Sequence, residues 1–442
     1  MLKKYLIFLS FILIISIIPV SASSDDFDDK YVIIRPMFDN NWIIIYNNNI
    51  YLYNGTLYNI TPKKYIISCV NVTYTYEDIV KEYYFQYFLD SFCLGNKTFI
   101  ICDTWDGRDI GRLDIENRTL YLWRLALGWY YKLKSNNNDE ALACFDNKMG
   151  MGAKPIILGF RYNKSSNSLE FIGNSRYDLH SKLANYLFNY VNHSKNYYSY
   201  HFEMEPFSPI SFDYNSKDKY WLIYVEGDLV VTYLEKNGEL NDVDNYISCL
   251  VKYNGTFYGY KSISFSPYIV YDKYRNQWIF IDDKLYFLDN NLTIVKTIDL
   301  DKGVWDVYPI DKNNIYVVYS TKWYDIAGIE KINLNDGRAT EIIDLRNITP
   351  RYIAYNGKEF LLVGYDLSLY IFDGKTCKKI ANLNELSNKT AQNSANKIVN
   401  STINSTNETS SEKSKNKTLN YYLYGIIIII YIIIGYTLWR RN

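Results

Sequence analysis

The sequence predicts an all-β protein built by repetition of a hairpin, and three observations carry that prediction. From residue 31 to 383, short runs of Ile, Val, Leu, Tyr, Phe and Trp are punctuated by Asn, Asp and Gly, the pattern of many short strands. Apolar residues make up 48% of the chain and aromatics 17%, with 47 Tyr, far too much to stay unfolded. One unit then recurs: an apolar alternating strand, a turn of Asn, Asp or Gly, and a second short strand.

In chain order, the first element is a signal peptide at residues 1–22. Lys3 and Lys4 precede an apolar stretch at 5–18, and Val20-Ser21-Ala22 places small residues at a cleavage site. Fourteen residues of helix reach about 21 Å, short of the roughly 30 Å hydrocarbon core, so cleavage after Ala22 is preferred to an uncleaved anchor.

The body, residues 23–383, carries seven copies of the unit, with turns at Asn54, Asn117, Ser166, Asn237, Asn290, Asp336 and Asp373. Two long spacings hold helix-like insertions. One covers Tyr76 to Asp90, which lacks strand alternation; the other opens at Ser175, with Leu179, Leu183, Tyr186, Leu187 and Tyr190 on one helical face. With those discounted, the spacings fall in the range of four-stranded propeller blades. Second turns recur before bulky strand starts, as in Asp39 to Trp42, Asp213 to Trp221 and Asp272 to Trp278. In these features the body resembles β-propeller proteins with loosely conserved blades, whose later strands read Leu-Tyr-x-Leu-Asp before a turn. The resemblance implies about seven four-stranded blades with two helical insertions. An array of β-sandwich domains is the alternative.

After the body, residues 384–418 hold 20 Asn, Ser or Thr in 35 positions and no aromatic, a composition that cannot bury a core and predicts a disordered stalk. Residues 419–439 predict one transmembrane helix: 421–439 are uncharged, Tyr and Trp mark both ends, and Arg440-Arg441 follow in a short cytoplasmic tail at 440–442. The expected topology is single-pass type I in the cell membrane, with the ectodomain outside and the bilayer as a partner.

The whole chain balances 48 basic against 48 acidic residues, which gives no case for a nucleic-acid partner. Fifteen Asn-x-Ser/Thr sequons occur where chance gives roughly five. Glycosylation is expected at Asn54, Asn117, Asn163 and Asn291 on the repeated turns, and at Asn388, Asn400, Asn404, Asn407 and Asn416 in the stalk. If the repeated turns are equivalent, the first four share one face. Six cysteines in an exported chain predict at least one disulfide, with free buried thiols as the alternative. The overall layout resembles archaeal single-pass cell-surface glycoproteins.

No catalytic motif stands out. His180, His193 and His201 lack metal-ligand spacing, and residues 148–155 lack the ending of a phosphate-binding loop. The most chemical-looking cluster is Asp103, Trp105, Asp106 and Asp109, whose carboxylates and indole suit Ca²⁺ or a sugar face, although a plain strand-to-strand turn is the preferred reading. No other cofactor or metal is expected. The preferred function is a membrane-anchored binding or structural surface protein, with a surface glycan or protein as its ligand. The alternative is an extracytoplasmic glycan-active enzyme using paired carboxylates in an axial pocket, with Asp106, Asp109, Glu203 and Glu205 as the acids to watch.

Overall fold

The computed structural model describes residues 32–388, apart from 68–71, 84, 105–106, 137, 148–153, 192–196, 205–210, 236–238, 265–266, 283 and 323–324. Consecutive strands pair into seven antiparallel sheets. Blade 1 is β1 (Val32–Pro36), β2 (Trp42–Tyr46), β3 (Asn49–Tyr53) and β4 (Leu57–Asn59). The connection to blade 2 holds β5 (Lys64–Ile67), β6 (Val72–Tyr74) and helix α1 (Tyr76–Tyr83). Blade 2 is β7 (Tyr87–Leu94), β8 (Lys97–Thr104), β9 (Gly107–Asp114) and β10 (Thr119–Leu127); β5 adds parallel to β10, and β6 completes a six-stranded sheet. Blade 3 is β11 (Tyr130–Ser135), β12 (Glu140–Asp146), β13 (Pro155–Asn163) and β14 (Ser168–Phe171).

Helix α2 (Asp178–Val191) and β15 (Ser199–Met204) lead into blade 4, formed by β16 (Ser211–Asn215), β17 (Tyr220–Leu234), β18 (Leu240–Tyr253) and β19 (Phe257–Ser262). Blade 5 is β20 (Tyr268–Asp272), β21 (Gln277–Ile281), β22 (Lys284–Leu288) and β23 (Ile294–Asp299). Blade 6 is β24 (Gly303–Pro309), β25 (Asn314–Lys322), β26 (Asp325–Asn333) and β27 (Ala339–Asp344). Blade 7 is β28 (Pro350–Tyr355), β29 (Phe360–Gly364), β30 (Ser368–Phe372) and β31 (Cys377–Asn382).

The first strands of the blades make a ring. β1, β7, β11, β16, β20 and β24 each lie against the next, and β28 touches both blade 6 and β1. This closed order is a seven-bladed β-propeller, and it overturns the β-sandwich alternative. The core therefore sits between blades: one cluster joins Ile43 and Ile45 of blade 1 to Phe88 and Ile100 of blade 2, and another joins Trp278 of blade 5 to Tyr220 and Leu222 of blade 4. Second strands are covered on both faces, so they read as continuous apolar runs such as Trp42-Ile43-Ile44-Ile45-Tyr46, buried throughout.

Antiparallel strands fix two rims. Turns joining first to second and third to fourth strands share one rim, and turns joining second to third strands lie on the other. Six of the seven repeated turns join third to fourth strands and so occupy equivalent positions. The exception is the turn expected at Asn237, which lies outside the described residues; the strands that flank it in sequence, β17 and β18, are the second and third of blade 4. Its blade instead uses Tyr253-Asn254-Gly255-Thr256, a copy of Tyr53-Asn54-Gly55-Thr56. In both, the Asn amide donates to the Thr carbonyl (3.3 and 3.2 Å), and Gly255 and Gly55 take φ of 111° and 97°.

Two further expectations need correction. Helicity in the first insertion ends at Tyr83, and Asp90 belongs to the inner strand β7, where the extra residue Leu89 breaks the alternation. No two of the described cysteines are joined by a disulfide; Cys102, Cys144 and Cys249 are buried thiols, each pushed up by burial and so chemically quiet. Residues 383–388, at the boundary of the expected stalk, are helical. Among the described residues no helix is long and apolar enough to cross a membrane; the segment at 419–439 lies outside them, as does the signal peptide.

Candidate functional site in the axial channel

The inner strands bring charged and phenolic side chains from six blades to the axis. Asp90 on β7, almost wholly buried, accepts a two-pronged contact from Arg35 on β1, Nε to Oδ1 at 2.8 Å and Nη2 to Oδ2 at 2.9 Å. The Tyr130 hydroxyl on β11 donates to the same carboxylate at 2.7 Å. One side chain thus ties three blades.

The next carboxylate plays a similar part. Asp213 on β16 pairs with Lys134 of β11 at 2.8 Å, and its Oδ2 also accepts the backbone N–H of Tyr271 on β20 at 2.9 Å. Ser211 Oγ accepts the N–H of Ile269 at 2.8 Å and lies 3.4 Å from Lys132 Nζ. On β24, Tyr308 stands two residues beyond Asp306, on the same face of the strand.

Lys132 is the exception among these cations. Among the described residues it forms no ion pair; its ammonium lies 4.3 Å from the ring centre of Tyr268 and 5.7 Å from that of Phe212. Burial, reinforced by repulsion from Lys134, pushes its amine down to about 8, while Asp213 and Asp306 pull the other way. Blade 3 and blade 6 are not neighbours, so Lys132 feels Asp306 across the axis. Asp306 is itself pushed up by burial, against the nearby Tyr308 hydroxyl, the bond from the Val307 N–H, and the neighbouring Lys134 and Lys132. The Tyr268 phenol is raised first by Asp306 and then by burial. The channel is solvent-reached yet walled by protein: Tyr268 stays 40% exposed.

Three of these charges follow directly on a β-bulge. Leu89 precedes Asp90, Tyr131 precedes Lys132 and Trp305 precedes Asp306, each an extra residue against the second strand. A bulge turns the next side chain, here toward the axis. Sequence reading singled out none of the six charged residues as a site; at Asp90, Lys132 and Asp306 the bulges erase the alternation that would have marked inward positions.

The cluster expected from sequence behaves differently. Asp103 and Asp109 stand on β8 and β9, where Asp103 pairs in register with Arg108 and Cys102 with Asp109, so the two carboxylates face opposite sides of the sheet. Asp103 is ion-paired with Arg108 at 3.1 Å. Asp109 accepts the N–H groups of Leu125 (2.7 Å) and Ala126 (3.1 Å), bracing a bulge in β10 where Ala126 has φ 48°. Both are buried, and burial pushes both carboxyls up. Trp105, Asp106 and Glu205 lie outside the described residues. Glu203, on β15, pairs with Lys154 at 3.1 Å. Among the described residues no three His, Cys, Asp or Glu side chains are placed to hold a metal ion.

Asn54, Asn117, Asn163 and Asn291 all fall at third-to-fourth-strand turns, on one rim, as does Asn254. Asn54, Asn117, Asn254 and Asn291 are exposed, Asn163 is half-buried, and Asn388 is exposed in the helical segment. Asn400, Asn404, Asn407 and Asn416 lie outside the described residues.

Fold and channel together define a seven-bladed β-propeller with an ion-paired polar axis. No family model and no curated protein sequence matches the chain. Solved structures similar to it include a chain of the mitotic checkpoint complex (10% identity, TM-score 0.45, covering 78% of this chain and 87% of that one). YCF48 from Cyanidioschyzon merolae is similar at 8% identity and TM-score 0.41, over 79% and 94%. Pyrococcus horikoshii acylaminoacyl peptidase is similar at 12% identity and TM-score 0.41, over 82% of this chain and 54% of that one.

Proposed function

We propose that this chain is a membrane-anchored, extracytoplasmic surface protein that binds an acidic glycan in its axial channel. The observation that carries the reading is Lys132, a channel cation with no ion-pair partner among the described residues. A bound carboxylate would complete it. Tyr130, Tyr268 and Tyr308 supply the ring faces and hydroxyls that hold sugars. The signal peptide, the type I anchor at 419–439 and glycans on the sequon-bearing rim rest on the sequence, and they are consistent with a displayed binding module. Isothermal titration of the full chain with tetraglucuronate and with neutral cellotetraose tests this. The uronate should bind at pH 7, and Lys132→Met should weaken it about tenfold, the loss of about 1.4 kcal/mol. Equal affinity for the neutral sugar, or no change in the variant, would remove the reading.

One observation favours an enzyme instead. Asp306 is held protonated to higher pH by burial while Asp213 is ion-paired with Lys134, and glycoside hydrolysis needs two carboxyl groups in unlike states. Reducing ends released from tetraglucuronate by the full chain, and lost in Asp306→Asn, would move the assignment to that reaction.

A further inference from the structure

The β17–β18 hairpin runs past the end of its blade. β16 pairs only with Tyr220–Tyr224, and beyond it β15 pairs with Gly227–Thr232, so a three-stranded sheet in the order β15, β17, β18 continues onto the rim opposite the sequons. β19 covers the outer edge of β18 only from Cys249 onward. From Leu240 to Ile247 no strand among the described residues pairs with that edge. The carbonyl of Ser248 accepts the N–H of Ile263, so it points outward. By the two-residue period, the backbone groups of Leu240, Asp242, Asp244 and Tyr246 point outward too.

The two faces of this sheet differ. Val225, Leu229, Val231, Ile247 and Cys249 are buried in the core cluster shared with α2. The register puts Glu203, Asp228 and Tyr246 in one row on the other face, with His201, Val230 and Asp244 in the next, and Glu226 beside Ser248. Lys154 pairs with Glu203, and His201 lies 3.2 Å from the same carboxylate. No Lys or Arg among the described residues pairs with Asp228, Asp242 or Asp244. Tyr224 donates to Glu226 at 2.7 Å, and Tyr246 also donates to it. These three residues, with Ser248 and residues 262–264, line a cleft of about 300 Å³ where the open edge meets β19.

We propose that this edge of β18 is a docking site for an extended, cationic segment of a partner protein, added as a further strand. Alternating Lys or Arg side chains would face Asp242 and Asp244, and one would enter the cleft at Glu226. Main-chain pairing supplies affinity in this mode, and the side-chain rows supply selectivity. Charge argues against a second copy of the chain as occupant, because antiparallel pairing of two β18 edges sets Asp242 and Asp244 of each copy against the other. Open edges in soluble proteins are commonly blunted with charge, which here also selects the partner's sign.

Fluorescence anisotropy with the full-length chain tests this. The probe is a labelled octapeptide of alternating Lys and Val, compared with its Glu–Val counterpart and with a Lys–Val peptide N-methylated on alternate residues along the docking edge. Expected are saturable binding of the first, loss of at least about tenfold for both comparison peptides, and a similar loss in the exposed-site variant Asp242→Lys/Asp244→Lys. Any of four results overturns the proposal: no binding, binding indifferent to N-methylation, binding unchanged in the double variant, or binding only after removal of residues 389–442, which would give the edge to the chain's own lysine-containing segment.

Discussion

Lys132 shows how one residue couples stability to the channel. Burial and Lys134 hold its amine at about 8 instead of the ordinary 10.5, so the folded protein binds its proton less readily than the unfolded chain. Between those values the unfolded chain carries more protons on this amine, and the lysine's own contribution to stability must rise with pH. The penalty is complete below about pH 8 and fades as pH climbs toward 10.5. Tyr268 and Tyr308 stay neutral over this window, since both phenols are pushed up. The buried thiols Cys102, Cys144 and Cys249, also pushed up, cost stability over the same window in any variant that keeps them, so the lysine is read from the difference between wild type and Lys132→Met. Lys132→Met should have the higher urea midpoint at pH 7.5, and its advantage should shrink by pH 9.5; parallel curves for the two proteins would show that the amine is not desolvated in the folded state.

At the scale of elements, legibility followed regularity. Strands with unbroken alternation, such as Leu285-Tyr286-Phe287-Leu288 before its Asp289-Asn290 turn, were readable from sequence, as was α2 from the spacing of Leu179, Leu183 and Leu187. Four of the inner strands were not, because Leu89, Tyr131, Trp305 and Arg351 each insert one residue and shift the period. The Asn254 turn was missed for another reason: between β17 and β18, the long hairpin of blade 4, the sequence offers a more conspicuous Asn-Gly at 237–238. That hairpin depends on Gly227, whose φ is 157° and where an added Cβ would lie 2.1 Å from the Glu203 carbonyl oxygen of β15. Gly227→Ala should lower stability by about 2–3 kcal/mol and speed amide exchange across residues 199–204. Unchanged exchange there would mean that β15 does not pack so closely on β17.

For the whole molecule, the seven-fold repetition was visible in the turns, but nothing in the sequence marked how the ring closes. Blades 1 and 7 are each built from four consecutive strands, so no strand is exchanged across the seam. Side chains and backbone at the rims make the join. Asn356 Nδ2 donates to the Asn40 carbonyl at 2.7 Å, Trp42 Nε1 reaches Glu359 at 3.4 Å, and the Tyr46 hydroxyl donates to Asn384 Oδ1 at 2.6 Å. β31 ends at Asn382 on the rim opposite the sequons, and the two residues beyond it still serve the propeller. Leu383 is fully buried and its N–H donates to Leu367 at 2.9 Å, while Asn384 meets Tyr46 of blade 1. A chain of residues 23–382 should accordingly unfold at lower urea than one of 23–388, by about 2 kcal/mol for the lost leucine alone. Tyr46→Phe should destabilise the longer chain more than the shorter one, because the shorter one has already lost Asn384. An equal effect of Tyr46→Phe in both chains would place its contribution elsewhere, and the seam would then rest on Trp42 and Asn356 at the other rim.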